Sequence, residues 1–287
     1  MFGKLLKYEW RAMMRAMLPL YGAVLVISLL NGFSVGYLLT QANGKTHPLL
    51  HFVSNYIQPI LTLLYLAILM VLVAFTVIQI IQRFYKGLLG REGYLMFTLP
   101  VSVGALSFSK ALVSVVMSIL SVMVALLSIL LYSGGLGQPM ELAASFGQFV
   151  RAAIALFREG LQSGYQGAMI SGGIFLVLLA LSCLIGLFAE LYQLYCSMSL
   201  GQLANRHKAA MSVVWYLALS TAWNIVSVIL VVNAGVLAQL LEKLFGTVGN
   251  NTLLILFGLG ILLLSLVKLL PLLFGTNWLL NHKLNLE

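Results

Sequence analysis

Six apolar runs, each long enough to cross a bilayer as a helix, divide this chain of 287 residues into alternating greasy and polar segments. A hydrocarbon core about 30 Å thick needs roughly 20 consecutive apolar residues in helical form. Runs of that length cover residues 17–39, 56–81, 106–132, 170–200, 209–232 and 252–274. The pattern predicts an all-α polytopic membrane protein with six transmembrane helices, forming one transmembrane domain over residues 1–287. The first run is longer than a signal-peptide core and no small-residue cleavage site follows it, so it reads as a span.

Two shorter segments carry a one-sided pattern. In residues 1–16, Lys4, Lys7, Arg11 and Arg15 recur every three or four positions and form a basic stripe. Leu6, Trp10, Met13 and Met17 form an apolar stripe beside it, with Glu9 interrupting the apolar arc. Such a helix is expected at the interface of an anionic cytoplasmic leaflet. Anchoring to lipid and direct contact with another subunit both fit, and Glu9 calls for a protein partner or an arginine. Residues 133–169 form the longest connection, where Leu142, Phe146, Phe149, Val150, Ile154, Phe157 and Leu161 repeat at helical spacing after Pro139. An extracellular amphipathic helix is expected there, lying on the outer leaflet or capping the bundle.

Composition removes the soluble alternatives. Hydrophobic residues make up 61% of the chain and charged residues 8%, with a mean hydropathy of +1.04. Soluble domains hold about 45–50% apolar and about 25% charged residues. With so few charges, no water-solvated fold could cover this much apolar surface. The chain has 16 Lys and Arg against 7 acids, all of them Glu. These bases sit at the ends of apolar runs and do not form an aromatic-laced patch, so no nucleic acid partner is expected. Lys4, Lys7, Arg11, Arg15, Arg83, Lys86, Arg91, Lys110, Arg206, Lys208, Lys268 and Lys283 fall on one side when the spans alternate. Lys45, Arg151, Arg158 and Lys243 fall on the other. The positive-inside rule then places both termini in the cytoplasm of a multi-pass protein of the plasma membrane.

Catalytic signatures do not accumulate. Gly44-Lys45-Thr46 matches the end of a phosphate-binding loop, but Leu39 stands where the first glycine belongs. The chain also has no Asp to hold Mg²⁺ at such a site. His47 and His51 are separated by Pro48 and have no Cys or acid near them, so no metal site is expected. Cys183 and Cys196 lie 13 residues apart in one run, about 20 Å along a helix, too far to pair. Neither enzyme chemistry nor a cofactor is expected in this chain.

Polar residues inside spans carry more weight, because each is costly in lipid. Glu190 lies on a stripe with Cys183, Gly186, Gln193, Ser197 and Gly201, each three or four positions from the next. Tyr216, Ser220, Asn224 and Ser227 make a similar edge on the fifth span. Helix–helix packing explains such edges. A wall of a solute pathway, or a seam between subunits, is the sharper alternative to that packing.

The most specific stretch is the connection between the second and third spans, residues 82–105. It presents Arg83, Lys86, Arg91, Glu92, Gly93, Tyr94, Phe97, Thr98, Leu99, Pro100, Val101 and Ser102 before Lys110. Tyr94 and Phe97 are aromatics that a water-facing loop does not need, and they suit docking into a groove. A third helix should begin near Ser102, after the break at Pro100. This stretch resembles the Glu-x-Gly-Thr…Leu…Thr-Pro-Val-Ser…Lys region of type-2 ABC exporter permeases, the membrane subunits of one class of ATP-binding-cassette transporter. Glu92, Leu99, Pro100, Val101, Ser102 and Lys110 match in order, while Gly93 follows Glu92 directly and Tyr94 comes next. The basic amino-terminal helix, the six-span plan and the ending Asn281 to Glu287 are also similar.

The resemblance implies a permease subunit paired with a second copy or a related permease, each bound to a separate cytoplasmic ABC ATPase subunit. ATP and Mg²⁺ would act in that ATPase. Arg91, Glu92, Gly93, Tyr94, Phe97 and Pro100 would form the coupling segment seated in it, flanked by the amino-terminal helix. Two rivals come from other classes. One is a secondary transporter that uses an ion gradient through Glu190, which a carboxyl with no ionisable neighbour supports weakly. The other is a non-transporting membrane scaffold or immunity protein.

Overall fold

The computed structural model describes residues 2–42, 56–90, 101–134, 148, 151, 155, 166–204, 206–245 and 250–282. Six long helices occur in chain order: α1 Phe2–Ala42, α2 Gln58–Phe84, α3 Val103–Gly134, α4 Gln166–Gly201, α5 Lys208–Phe245 and α6 Asn250–His282. A π-helical turn, Tyr85–Leu89, continues directly from α2. Each of the six contains a stretch long and apolar enough to cross a membrane, and no strand occurs among the described residues. The chain is therefore an all-helical protein with the makeup of a multi-pass membrane protein.

The amino-terminal stripe does not form a separate interfacial helix. Residues 2–16 are the first turns of α1, which runs on without a break through Pro19. Nothing in residues 1–16 stops a helix, and the apolar positions Met13 and Met17 continue in register into Tyr21 and Val24. Those four side chains are all buried. The expected extracellular amphipathic helix falls almost wholly outside the described residues.

The helices divide into two units, Met1–Ile81 with Val116–Ala155, and Gln82–Val115 with Leu156–Glu287. In the first, Met17, Tyr21 and Val24 of α1 pack on Leu72 of α2, surrounded by Leu20, Ile68, Leu69, Phe75, Val124 and Ala125. Polar rungs lie among these apolar contacts. Ser121 of α3 shares hydrogen bonds with Tyr21 (2.8 Å) and with Thr76 (3.0 Å). Tyr65 bonds Ser128 at 3.0 Å and stacks on Tyr132. Gln58 donates to the side-chain oxygen of Asn31 at 2.9 Å. In lipid no water competes for such groups, so hydroxyls and amides serve as glue between helices. Gly32 lets α1 approach α3 closely: a Cβ there would lie 2.7 Å from the Leu131 carbonyl.

In the second unit α4 packs against both α5 and α6. The turn between α4 and α5 is tight. A Cβ on Gly201 would fall 2.0 Å from Ser212 Oγ and 2.7 Å from its backbone nitrogen. His207 closes this turn with a left-handed backbone (φ 55°), and its carbonyl accepts the Met211 N–H. At the start of α3, Ser102 accepts the Ala105 N–H on its hydroxyl and the Leu106 N–H on its carbonyl. That is how serine ends a loop and opens a helix.

Candidate intramembrane ion-pair site

Glu190 sits on α4 and Lys268 on α6, each within a stretch of spanning length. Glu190 lies eleven residues before Gly201, and Lys268 fourteen before His282, so roughly 16 and 21 Å along their axes. Both helices run in the same direction in an alternating six-span plan, which puts the two charges at similar depth. The Lys268 ammonium donates to Glu190 Oε1 in a direct ion pair. Trp223 of α5 completes the group, with Lys268 Nζ 5.8 Å from its ring centroid. An ammonium that close to an indole face gains a cation–π attraction, strongest where water is absent.

This finding corrects two readings of the sequence. Lys268 is not a base of the cytoplasmic carboxyl end, since α6 continues 14 residues beyond it. Glu190 is not without an ionisable partner. The signal was present in the sequence: Lys268 falls inside the apolar run 252–274, where an isolated lysine needs a counter-ion. Without Lys268, the basic side still outweighs the other by 11 to 4.

The pair is asymmetric. The Lys268 side chain is 9% exposed and that of Glu190 57%. Glu190 Oε2 has no hydrogen-bond partner among the described residues. A lone charge at the centre of a membrane helix costs about 3 kcal/mol, so the pairing offsets the cost of burying Lys268 within such a helix.

Other predicted site residues distribute unevenly. Gln193 and Ser197 are buried on α4. The Ser197 hydroxyl is spent on the Leu194 carbonyl of its own helix, and that of Ser227 on the Asn224 carbonyl. Neither hydroxyl bonds a neighbouring helix among the described residues. Ser220 and Ser227 are half-buried, Asn224 is exposed, and no described residue from Val213 to Asn233 is buried. Lys4, Lys7, Arg11 and Arg15 are exposed, Trp10 half-buried and Glu9 buried. Arg91, Glu92, Gly93, Tyr94, Phe97 and Pro100 lie outside the described residues.

The flanks of that connection are described, and they are tied together. Lys110 is 3% exposed, and its Nζ stands where a Cβ on Gly87 would come within 2.7 Å. A residue with a side chain at position 87 would displace this lysine from the π turn. Tyr195 of α4 stacks on Phe84 at the end of α2, centroids 3.9 Å apart. Its hydroxyl is 3.2 Å from Ser114 Oγ on α3. One α4 residue thus touches the helices on both sides of the connection. Sequence reasoning missed Tyr195, which lies off the edge formed by Glu190, Gln193 and Ser197.

Comparison with family models, with curated proteins and with solved structures returned no match to this chain.

Proposed function

We propose that this chain is the membrane-spanning permease subunit of an ABC exporter, driven by a separate cytoplasmic ATPase. The observation that carries the reading is the construction around residues 82–110. The segment that resembles a coupling element is bounded by Phe84 and Gly87 on one side and by Lys110 and Ser114 on the other. Lys110 packs on Gly87, and Tyr195 engages Phe84 and Ser114. A push on the segment would reach α2, α3 and α4 together through aromatic and hydrogen-bonded contacts. Rigid helices moved as a set are the usual means by which a remote event changes access to a site.

In this reading ATP and Mg²⁺ act in the partner, and this chain supplies the pathway. It sits in the plasma membrane with both termini cytoplasmic, as its distribution of basic residues implies. A second permease copy completes the assembly. The α5 face supports such pairing, because an exposed Asn224 amide in a membrane helix calls for a protein neighbour. Residues 4–15 would flank the ATPase contact or rest on lipid.

The test is co-reconstitution of the chain with its ATPase in proteoliposomes. Tyr94→Ala combined with Phe97→Ala should insert normally yet lose the dependence of transport on ATP use. Retained coupling in that double variant would sink the docking role.

One observation favours a second reading, an ion-gradient-driven carrier: the Glu190–Lys268 pair supplies the paired intramembrane charges such a carrier uses. Transport by the chain alone, without nucleotide and abolished in Glu190→Gln, would select it.

A further inference from the structure

The Glu190 side chain, within a stretch of spanning length, is more than half exposed, while the lysine that neutralises it is covered. One oxygen, Oε1, is bonded to Lys268, and the other has no partner among the described residues. A side chain on a helix leans back over the turn before it, so Glu190 overhangs position 186. That position is glycine, and a Cβ built there would meet nothing within 4 Å. The next residue along the same edge, Cys183, is exposed. The carboxylate therefore stands beside a stretch of the α4 surface that is uncrowded at Gly186 and exposed at Cys183. Trp223, on the adjacent helix, brings an indole face to the same level. A carboxylate in apolar surroundings, whose counter-ion lies 5.8 Å from the centre of an indole ring, offers the two groups that attract organic cations.

We propose that Glu190 is a binding site for a lipophilic organic cation, and that Lys268 is the resident counter-ion such a cation competes with for the carboxylate. The exposure difference sets the direction of exchange. A ligand arriving from outside meets the carboxylate first, and the ammonium is the covered partner, with the Trp223 ring near it. The net charge of the empty pair is zero, which suits a vacant site in lipid. A ligand cation must overcome the attraction between Glu190 and Lys268, so removing Lys268 strengthens binding where a structural latch would lose stability and gain nothing. The proposal rests on reading the chain as a transport subunit, and it names the cargo class of that pathway. Its test needs neither ATPase nor transport, so its failure is separable from failure of that reading.

The experiment is equilibrium binding of tetraphenylphosphonium to the purified full chain in nanodiscs of phosphatidylglycerol. Tetraphenylborate, of the same shape and opposite charge, is the control. The expected results are saturable binding by the native chain, at least about tenfold tighter binding by Lys268→Met, and at least about tenfold weaker binding by Glu190→Gln. Equal binding of tetraphenylborate, or equal weakening in the two variants, would overturn the proposal and leave the pair as a latch between α4 and α6. If Glu190→Gln does not yield folded protein, the exchanged pair Glu190→Lys with Lys268→Glu decides. It keeps the ion pair but buries the carboxylate, so cation binding should be lost, and native affinity would count against the site. Adding phosphatidylethanolamine to the nanodiscs distinguishes sources. Competition identifies an aminolipid headgroup as an occupant, and unchanged affinity identifies a free cation, both through the same carboxylate.

Discussion

Lys268 of α6 is nine-tenths buried and bonded to Glu190 of α4, whose own side chain is more than half exposed. The two ends of this ion pair therefore differ in what they lose when separated. Glu190→Gln strands an ammonium in a covered, apolar place, whereas Lys268→Met leaves a carboxylate with an open face. Thermal or denaturant unfolding in detergent should show the first destabilised by about 3 kcal/mol and the second by about 1 kcal/mol. Exchanging the charges should recover part of the loss. Equal costs for the two single variants would mean that the exposure difference has no energetic consequence.

The hydroxyl cluster in the first unit supports a second prediction. Ser121 bonds both Tyr21 and Thr76, linking α3 to α1 and α2. Hydrogen bonds between membrane helices contribute about 0.6 kcal/mol each on average, so Ser121→Ala should cost about 1 kcal/mol. Ser227→Ala should change stability by far less, since that half-buried hydroxyl only turns back on its own helix. Unfolding of the two variants under one set of conditions makes the comparison.

Six apolar runs were legible because lipid imposes one rule on every span: enough apolar residues, all in a helix. Which polar residues meet was not, since the rungs Tyr21–Ser121–Thr76 and Tyr65–Ser128 depend on how helices far apart in sequence are rotated. Ser and Tyr are common enough in membrane helices that no pattern singles these out. Glu190 was legible as costly, and its position on the α4 edge with Gln193 and Ser197 could be read from spacing. Lys268 was visible too, but grouping it with the terminal charges hid its role. Continuity of α1 from Phe2 was obscured for the opposite reason: a basic stripe looks like an interfacial helix, yet no residue between positions 12 and 20 prevents the same helix from entering the membrane. Pro19 sits inside it without ending it.

The α4–α5 turn makes a sharp steric prediction. At Gly201 an added methyl would overlap Ser212, backbone included, and backbone cannot move aside cheaply. Gly201→Val should prevent accumulation of folded protein, and Gly201→Ala should lower the unfolding midpoint markedly. Gly172→Ala on the same helix, where a Cβ would meet nothing within 4 Å, should be neutral or slightly stabilising because alanine favours helix by up to about 1 kcal/mol. Size-exclusion profiles and unfolding midpoints of the three variants would check it, and a normal Gly201→Val protein would refute the close approach.

The α5 face bears on how two copies would meet. Between Val213 and Asn233 no described residue is buried, and the Asn224 amide bonds no described residue. In hydrocarbon an unpaired amide costs several kcal/mol, so a neighbour that bonds it is strongly favoured. An amide both donates and accepts, and two such groups facing each other across a two-fold axis satisfy one another. Ser220 and Ser227, one turn to either side, are small enough to let two backbones approach. On the proposed reading, a second copy of the same helix is the neighbour this edge would take. With Cys183 and Cys196 replaced by Ser, a cysteine substituted for Asn224 should form an intermolecular disulfide in native membranes. Asn224→Leu should lower the dimer fraction by about tenfold, equivalent to about 1.4 kcal/mol of association free energy. A cysteine that never cross-links, together with an unchanged dimer fraction in the leucine variant, would show that α5 is not a seam between copies.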